Sequence, residues 1–316
     1  MAQNLIQFQP GLSLGEFMTK YGSEAKCAAA LEQSRWPDGF TCARCVSSRH
    51  TVWERASGKY WQCSQCGYQT TLIAGTIFQA TKLPLRVWLL AMHLLCQAKN
   101  NVSALELKRH LGVSYPSALM LKHKLMQVMA EREQDRRLDG RVEIDDAYLG
   151  GERPGKRGRG SQNKIAFIAA VQTNAQGHPM FIRLDRVSAF SHAAIEAWAS
   201  KALAASAHVL SDGWAGFGAV GKHVAVHEPI VVGSGRKAAQ RPEFRWVNTI
   251  LGNLKTAIEG TYHAFNFDKY ADRYLGEAQY RFNRRFDLRS ILARLTRAAV
   301  RTEPWPAKRL KFTEVY

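Results

Sequence analysis

The sequence predicts a multidomain α+β protein: a metal-clamped hairpin module, a helical segment and a C-terminal α/β domain. Three observations predict this. Two CxxC pairs stand 17 residues apart, apolar residues recur with a helical period between positions 83 and 129, and strands alternate with helices beyond position 142. The 316 residues include 44 basic and 26 acidic side chains, a formal charge of 44 − 26 = +18. Residues 1–140 hold 17 basic and 10 acidic residues and 141–316 hold 27 and 16, so both halves are basic. That balance points to a polyanion partner, most often nucleic acid. With 46% hydrophobic and 22% charged residues, the chain can bury a full core and is not a disordered segment. No apolar run reaches the ~18 residues of a membrane span, and the first residues lack the pattern of a secretory signal. Six cysteines in so long a chain do not make a disulfide scaffold. A cytoplasmic protein that does not enter the membrane is predicted.

Residues 1–35 read as a lead-in with one helical stretch over 13–32. Residues 36–75, rich in Cys, Gly, aromatic and β-branched residues, suit short hairpins. Here Cys42 and Cys45 form one knuckle and Cys63 and Cys66 a second, with Gly67 where a knuckle needs a positive φ. Four thiolates at this spacing predict a zinc ribbon, and a four-sulfur shell is closed, so the Zn2+ is structural. Cys27 and Cys96 lie outside the pattern as ordinary buried thiols.

Residues 76–138 read as helical. Leu85, Trp88, Leu89, Met92 and Leu95 fall on one face. Residues 102–126 suit a helix-turn-helix: Leu105, Leu107 and Leu111 supply the first apolar face, Gly112 the turn, and Ser114 and Pro116 the start of the second helix. Lys122 and Lys124 then become candidate DNA contacts on that second helix. A plain helical hairpin is the alternative. The charge run EREQDRRLDG over 131–140 marks a boundary.

Residues 139–316 give three strands (142–149, 164–173, 180–187), a helix (191–205), two strands (208–210, 222–226) and a helix (241–258). The Asn174–Gly177 turn makes a hairpin of the second and third strands. An antiparallel meander followed by alternating helices and strands is the order of the ribonuclease-H-like fold. In the first strand Val142 and Ile144 point to one face, Glu143 and Asp145 to the other. Asp212 ends a second, short strand. Acids at such positions are costly unless they bind cations or donors.

At this point the chain resembles the DDE-type transposases of bacterial insertion sequences with an N-terminal zinc ribbon, relatives of the eukaryotic Merlin elements. The resemblance runs from about residue 20 to residue 290 and rests on several motifs in order. They are the Cys42/Cys45/Cys63/Cys66 ribbon, AGTIFQATKLPLRVW (74–88), VEIDDAYLGG, RPGKRGRG (153–160), VLSDGW, WVNTILGNLKTAIEGTYH (246–263) and YRFNRRF (280–286). It implies that Asp145 and Asp212, 212 − 145 = 67 positions apart, are the first and second catalytic aspartates. The better-known members carry a glutamate third, seven residues before a lysine. Lys255 matches that lysine, and Asn248 stands in the glutamate's place, as in some branches of the family. Glu243 and Glu259 are the other third-ligand candidates.

The implied chemistry is two-metal phosphoryl transfer with Mg2+, for which Mn2+ can substitute. Asp145, Asp212 and Asn248 would be the ligands, and Lys255 would face a phosphate. The implied partners are double-stranded DNA, as terminal inverted repeats and as target, and further copies of the chain in a synaptic complex at the nucleoid. Lys156, Arg157 and Arg159 in the glycine-rich loop are predicted phosphate contacts. So are Arg281, Arg284 and Arg285, at the head of a stretch (281–311) with ten basic and two acidic residues. The competing readings are a DNA-binding regulator or domesticated remnant without chemistry, and a ribonuclease-H-like nuclease.

Overall fold

The computed structural model describes residues 8–55, 58–98, 100–150, 164–231, 241–263 and 265–311. The chain forms two compact units, Met1–Val128 with Arg285–Tyr316, and Met129–Arg284. The division predicted at residue 138 left everything beyond it in one domain. The C-terminal helices instead belong to the first unit.

In the first unit the lead-in forms two helices, α1 (Leu14–Tyr21) and α2 (Glu24–Arg35), rather than one. Gly22 interrupts them, and Ser23 restarts the chain by accepting the Lys26 amide at 3.2 Å. The ribbon follows as strands β1 (His50–Arg55), β2 (Gly58–Cys63) and β3 (Gln69–Thr71), an antiparallel sheet in sequence order. Its small core is Phe40 and Trp61 packed beside Cys42 and Cys63, with Trp36 and Leu72 at the margin. The Arg35 guanidinium at the end of α2 donates to the carbonyls of Thr71, Leu72 and Ala74, fastening the ribbon's exit to that helix.

Helix α3 (Leu85–Gln97) buries Trp88, Leu89, Met92 and Leu95, four of the five residues its period placed on one face. Helix α4 (Ala104–Leu111) is capped by Ser103 and ends on Gly112 with φ 65°, a left-handed position that glycine takes without strain. Leu107 is fully buried, but Leu105 is exposed, so the expected apolar face of α4 is narrower than its leucines suggested. Helix α5 (Tyr115–Glu133) begins after a short turn, with the Ser114 hydroxyl accepting the Ser117 amide at 3.3 Å. Helix α9 (Ile291–Ala299) packs on α3 and α2 through Ile291, Leu292 and Leu295. The Gln97 side chain at the end of α3 donates to the Leu288 carbonyl at 2.9 Å. A short helix, α10 (Ala307–Lys311), follows.

The second unit is built on a five-stranded sheet. Strands β4 (Arg141–Leu149), β5 (Ile165–Thr173) and β6 (Pro179–Arg186) form the expected meander, and β7 (His208–Asp212) and β8 (Val226–Ile230) run parallel to β4. The spatial order is β6-β5-β4-β7-β8. Strand β8 starts four residues later than predicted, because the glycine-rich segment Ala215–Lys222 winds into a 3-10 helix first. One sheet face packs on α6 (His192–Ala202), burying Val142, Ile144, Ile168 and Val209 against Ile195, Trp198 and Phe217. The other face carries α7 (Arg245–Ala257) and α8 (Phe267–Phe282), with Phe167, Ala169 and Val171 against Val247, Ile250, Leu251 and Leu275.

Strand β6 lies at a sheet edge, where unpaired backbone groups would be exposed to another chain. Side chains at the end of α8 cover it. Asn283 accepts the Ile182 amide at 2.7 Å and donates to the Ile182 carbonyl at 3.0 Å, and Gln279 accepts the Leu184 amide at 3.0 Å.

Candidate functional site

Among the described residues, two side-chain clusters have metal-ligand chemistry. In the ribbon, the sulfurs of Cys42, Cys45, Cys63 and Cys66 lie within 4.8 Å of one another. The Cys42–Cys66 separation is 3.7 Å and Cys45–Cys63 is 3.5 Å. A tetrahedron with Zn–S bonds of about 2.3 Å has edges of about 3.8 Å, and these two separations are close to that value. The two knuckles repeat one geometry. Val46 donates to the Cys42 carbonyl at 2.9 Å and Gly67 to the Cys63 carbonyl at 3.0 Å. Each stands four residues after its cysteine at positive φ, 62° and 70° respectively. The amide of Cys66 pulls the Cys63 thiol down to about 6, favouring the thiolate that binds metal.

The second cluster lies at the centre of the five-stranded sheet. Parallel pairing sets Glu143 opposite Leu210, which two residues further brings Asp145 level with Asp212. One carboxylate oxygen each from Asp145, Asp146 and Asp212 lie within 4.8 Å of one another, all three residues half-buried. Backbone amides orient two of them: Asp146 donates to Asp145 Oδ1 at 2.8 Å and Trp214 to Asp212 Oδ1 at 3.1 Å. Three carboxylates at this spacing repel one another and are relieved by a divalent cation with oxygen ligands. Under Asp212, the buried Ser211 hydroxyl lies 2.9 Å from His227 Nε2, whose burial favours the neutral ring.

Residues 137–283 match the ISXO2-like transposase domain, and residues 22–69 match the transposase zinc-ribbon domain. Over these two segments the chain is similar to the insertion-sequence transposases. A relative is the uncharacterized protein in transposable element ISH50 of Halobacterium salinarum, 27% identical over 180 residues. That alignment spans 54% of this chain and 58% of the relative.

Within the transposase domain, Asn248 occupies the first turn of α7, half-buried, and Lys255 lies exposed two turns further along the same helix. Both are carried over the sheet face to which Glu143 and Asp145 point. Asp146 joins the acidic cluster although strand alternation alone sends it to the opposite face. Its signal in the sequence was the doubled acid in an otherwise apolar strand. Glu143, fully buried, holds the first turn of α7 by its backbone amides.

The predicted DNA contacts fare differently. Lys122 is 1% exposed and its ammonium donates to the Val102 carbonyl at 2.6 Å, so no phosphate reaches it. Lys124 is turned inward as well: it donates to the Ile77 carbonyl at 3.3 Å and sits 5.7 Å from the Trp88 ring, and burial pushes its pKa down. Charge suggested exposure for these residues, but α5 is packed on most sides. Arg284 is buried, paired with Glu133 and stacked 3.6 Å from the Tyr280 ring centroid. It belongs to the core of its unit. Arg281 is half-buried, and Arg285 is half-buried over Phe286, its pKa lowered to about 10 by burial. Lys156, Arg157 and Arg159 lie outside the described residues. No helix among the described residues is long and apolar enough to cross a membrane.

Proposed function

We propose that this chain is the transposase of an insertion sequence, binding the element's terminal inverted repeats and catalysing metal-dependent strand cleavage and strand transfer into target DNA. The observation that carries the reading is the convergence of Asp145 and Asp212 on adjacent strands inside the segment that matches the transposase domain. The sheet order, third–second–first–fourth–fifth strand, supports a ribonuclease-H-like fold for that unit. Asp145, Asp212 and Asn248 would hold the Mg2+ ions, with Asp146 adding negative charge beside them. Bound metal would supply activation of the attacking hydroxyl and stabilisation of the leaving oxygen. Lys255 would hold a phosphate of the strand in line, because seven residues are close to two helical turns and keep it on the Asn248 face.

Sequence preference would reside in the ribbon and the α4–α5 pair, read as a helix-turn-helix. With Lys122 and Lys124 turned inward, phosphate contacts fall to Lys108, Arg109 and His110, exposed at the end of α4. Arg294, Arg297 and Arg301, spaced along one exposed side of the α9 region, would extend them. Binding would then weaken steeply with salt. A synaptic complex at the nucleoid would hold two element ends with more than one copy of the chain. One observation favours a second reading, a DNA-binding regulator without chemistry: the neutral amide of Asn248 stands where a charged ligand is usual.

Asn248 therefore decides between them. As a ligand, Asn248→Ala should lower cleavage of a terminal-repeat oligonucleotide nearly as far as Asp145→Ala, with binding unchanged. Asn248→Asp should keep activity and lower the magnesium requirement. A fully active Asn248→Ala protein removes the residue from the site, and a wild type that binds ends but never cuts supports the regulator.

A further inference from the structure

Helix α7 has to be capped, because the first amides of a helix have no partner within it. Its own sequence supplies no cap: the residue before it is Phe244, and no side chain from the local segment bonds the first turn. The cap comes from a strand about a hundred positions earlier. Glu143 Oε2 accepts the backbone amides of Trp246 at 2.9 Å and Val247 at 3.1 Å. Its other oxygen, Oε1, accepts from Arg141 at 2.8 Å, and the same guanidinium donates to the Glu243 carbonyl at 3.2 Å, just ahead of the helix. The carboxylate is fully buried, so its charge is matched by Arg141 and by the positive end of the helix.

This geometry ties two halves of one site together. Along β4, Asp145 lies two residues beyond Glu143, about 6.6 Å away on the same sheet face. Along α7, Asn248 is the next residue after Val247. A shift of the helix start would carry Asn248 and Lys255 with it while leaving Asp145 and Asp212 in place. We propose that Glu143 is a positioning residue for the transposase reaction: its buried carboxylate latches the start of α7 to the strand bearing Asp145 and sets where Asn248 and Lys255 stand. The inference rests on the ligand reading of Asn248 given above, and both oxygens of Glu143 are already engaged, so it is not itself a metal ligand.

The test uses the full chain with Glu143→Asp, Glu143→Gln and Asn248→Ala, measuring cleavage against Mg2+ concentration, Mn2+ binding by calorimetry, zinc content and terminal-repeat binding. Glu143→Asp keeps the charge but is one methylene too short. It should raise the Mg2+ needed for half-maximal cleavage about tenfold and weaken one Mn2+ site, with zinc and DNA binding unchanged. Glu143→Gln keeps an acceptor of the right length and should retain more activity than Glu143→Asp. Wild-type metal dependence of cleavage in both Glu143 variants would overturn the positioning role. So would Glu143→Asp lowering the melting temperature while leaving the metal dependence of cleavage untouched. Asn248→Ala is read separately. If it binds Mn2+ and cuts like wild type while Glu143→Asp raises the metal requirement, the ligand reading fails and the latch stands. If Asn248→Ala loses a metal site while Glu143→Asp does not, the latch fails and the ligand reading stands.

Discussion

The two clusters differ in how the chain assembles them. The four cysteines fall within 66 − 42 = 24 positions, and each pair is held by its own knuckle, so the ribbon needs almost no long-range packing to bring them together. The acidic cluster draws on strands 212 − 145 = 67 positions apart, and its candidate third ligand sits on a helix fixed by a carboxylate over a hundred residues upstream. A closed sulfur shell serves folding and an open oxygen site serves chemistry. The local site is therefore expected to fail by unfolding, and the distributed one by losing activity while staying folded.

The largest effect should come from the sulfur shell. Structural zinc contributes roughly 10–16 kcal/mol to folding of comparable sites, so Cys63→Ser should release the metal and unfold residues 36–75. Circular dichroism and zinc analysis should show this with the 129–284 unit still folded. Retention of zinc and ribbon structure by Cys63→Ser would break the comparison at its first term.

Next is removal of residues 285–316, which strips Ile291, Leu292, Leu295 and Ala299 from α3 and α2. Burying a leucine or isoleucine contributes about 1.5–3 kcal/mol, so the truncation should cost the first unit upward of roughly 5 kcal/mol. Hydrogen exchange should localise the loss to α2 and α3, and leave β4 to β7 protected. If protection is lost in the sheet instead, the division into units is wrong.

Asp145→Asn should keep the fold and abolish chemistry. A fall in cleavage of at least about a thousandfold, roughly 4 kcal/mol of transition-state stabilisation, is expected with unchanged melting temperature and zinc content. A variant that still cuts would move the chemistry elsewhere.

The smallest effect sharpens the local side. Val46 is 78% exposed and holds φ 62° with a β-branched side chain, whereas the equivalent position of the second knuckle is Gly67. Val46→Gly should stabilise the ribbon by about 0.5–1 kcal/mol, seen as a higher chelator concentration for unfolding. A loss of stability would show that Val46 contributes contacts that outweigh its backbone strain.

The same contrast governed what could be read from the residues. The ribbon was legible down to its four ligands, because spacing alone specifies a knuckle. The meander was legible because strand alternation and a hairpin turn are local signals, whereas the pairing of Asp145 with Asp212 was implied only by the family resemblance. The role of Glu143 was not, since its partners are backbone amides on a distant helix and carry no side-chain signature. Lys122 and Arg284 were misread for a related reason: their partners, the Val102 carbonyl and Glu133, exist only after packing. The C-terminal helices looked like a continuation of the catalytic domain because their amphipathic pattern names a buried face without naming what covers it.

That discontinuous first unit also has an order in time. Residues 129–284, which complete the second unit, leave the ribosome before residues 285–310 can dock on α2 and α3. At 5–20 residues per second, synthesis of those 284 − 129 + 1 = 156 residues takes roughly 8–30 s. During that interval the five-stranded sheet can form while α2 and α3 still lack the helix that covers them. The nascent protein can thus complete the unit that matches the transposase domain before its zinc-ribbon unit is whole.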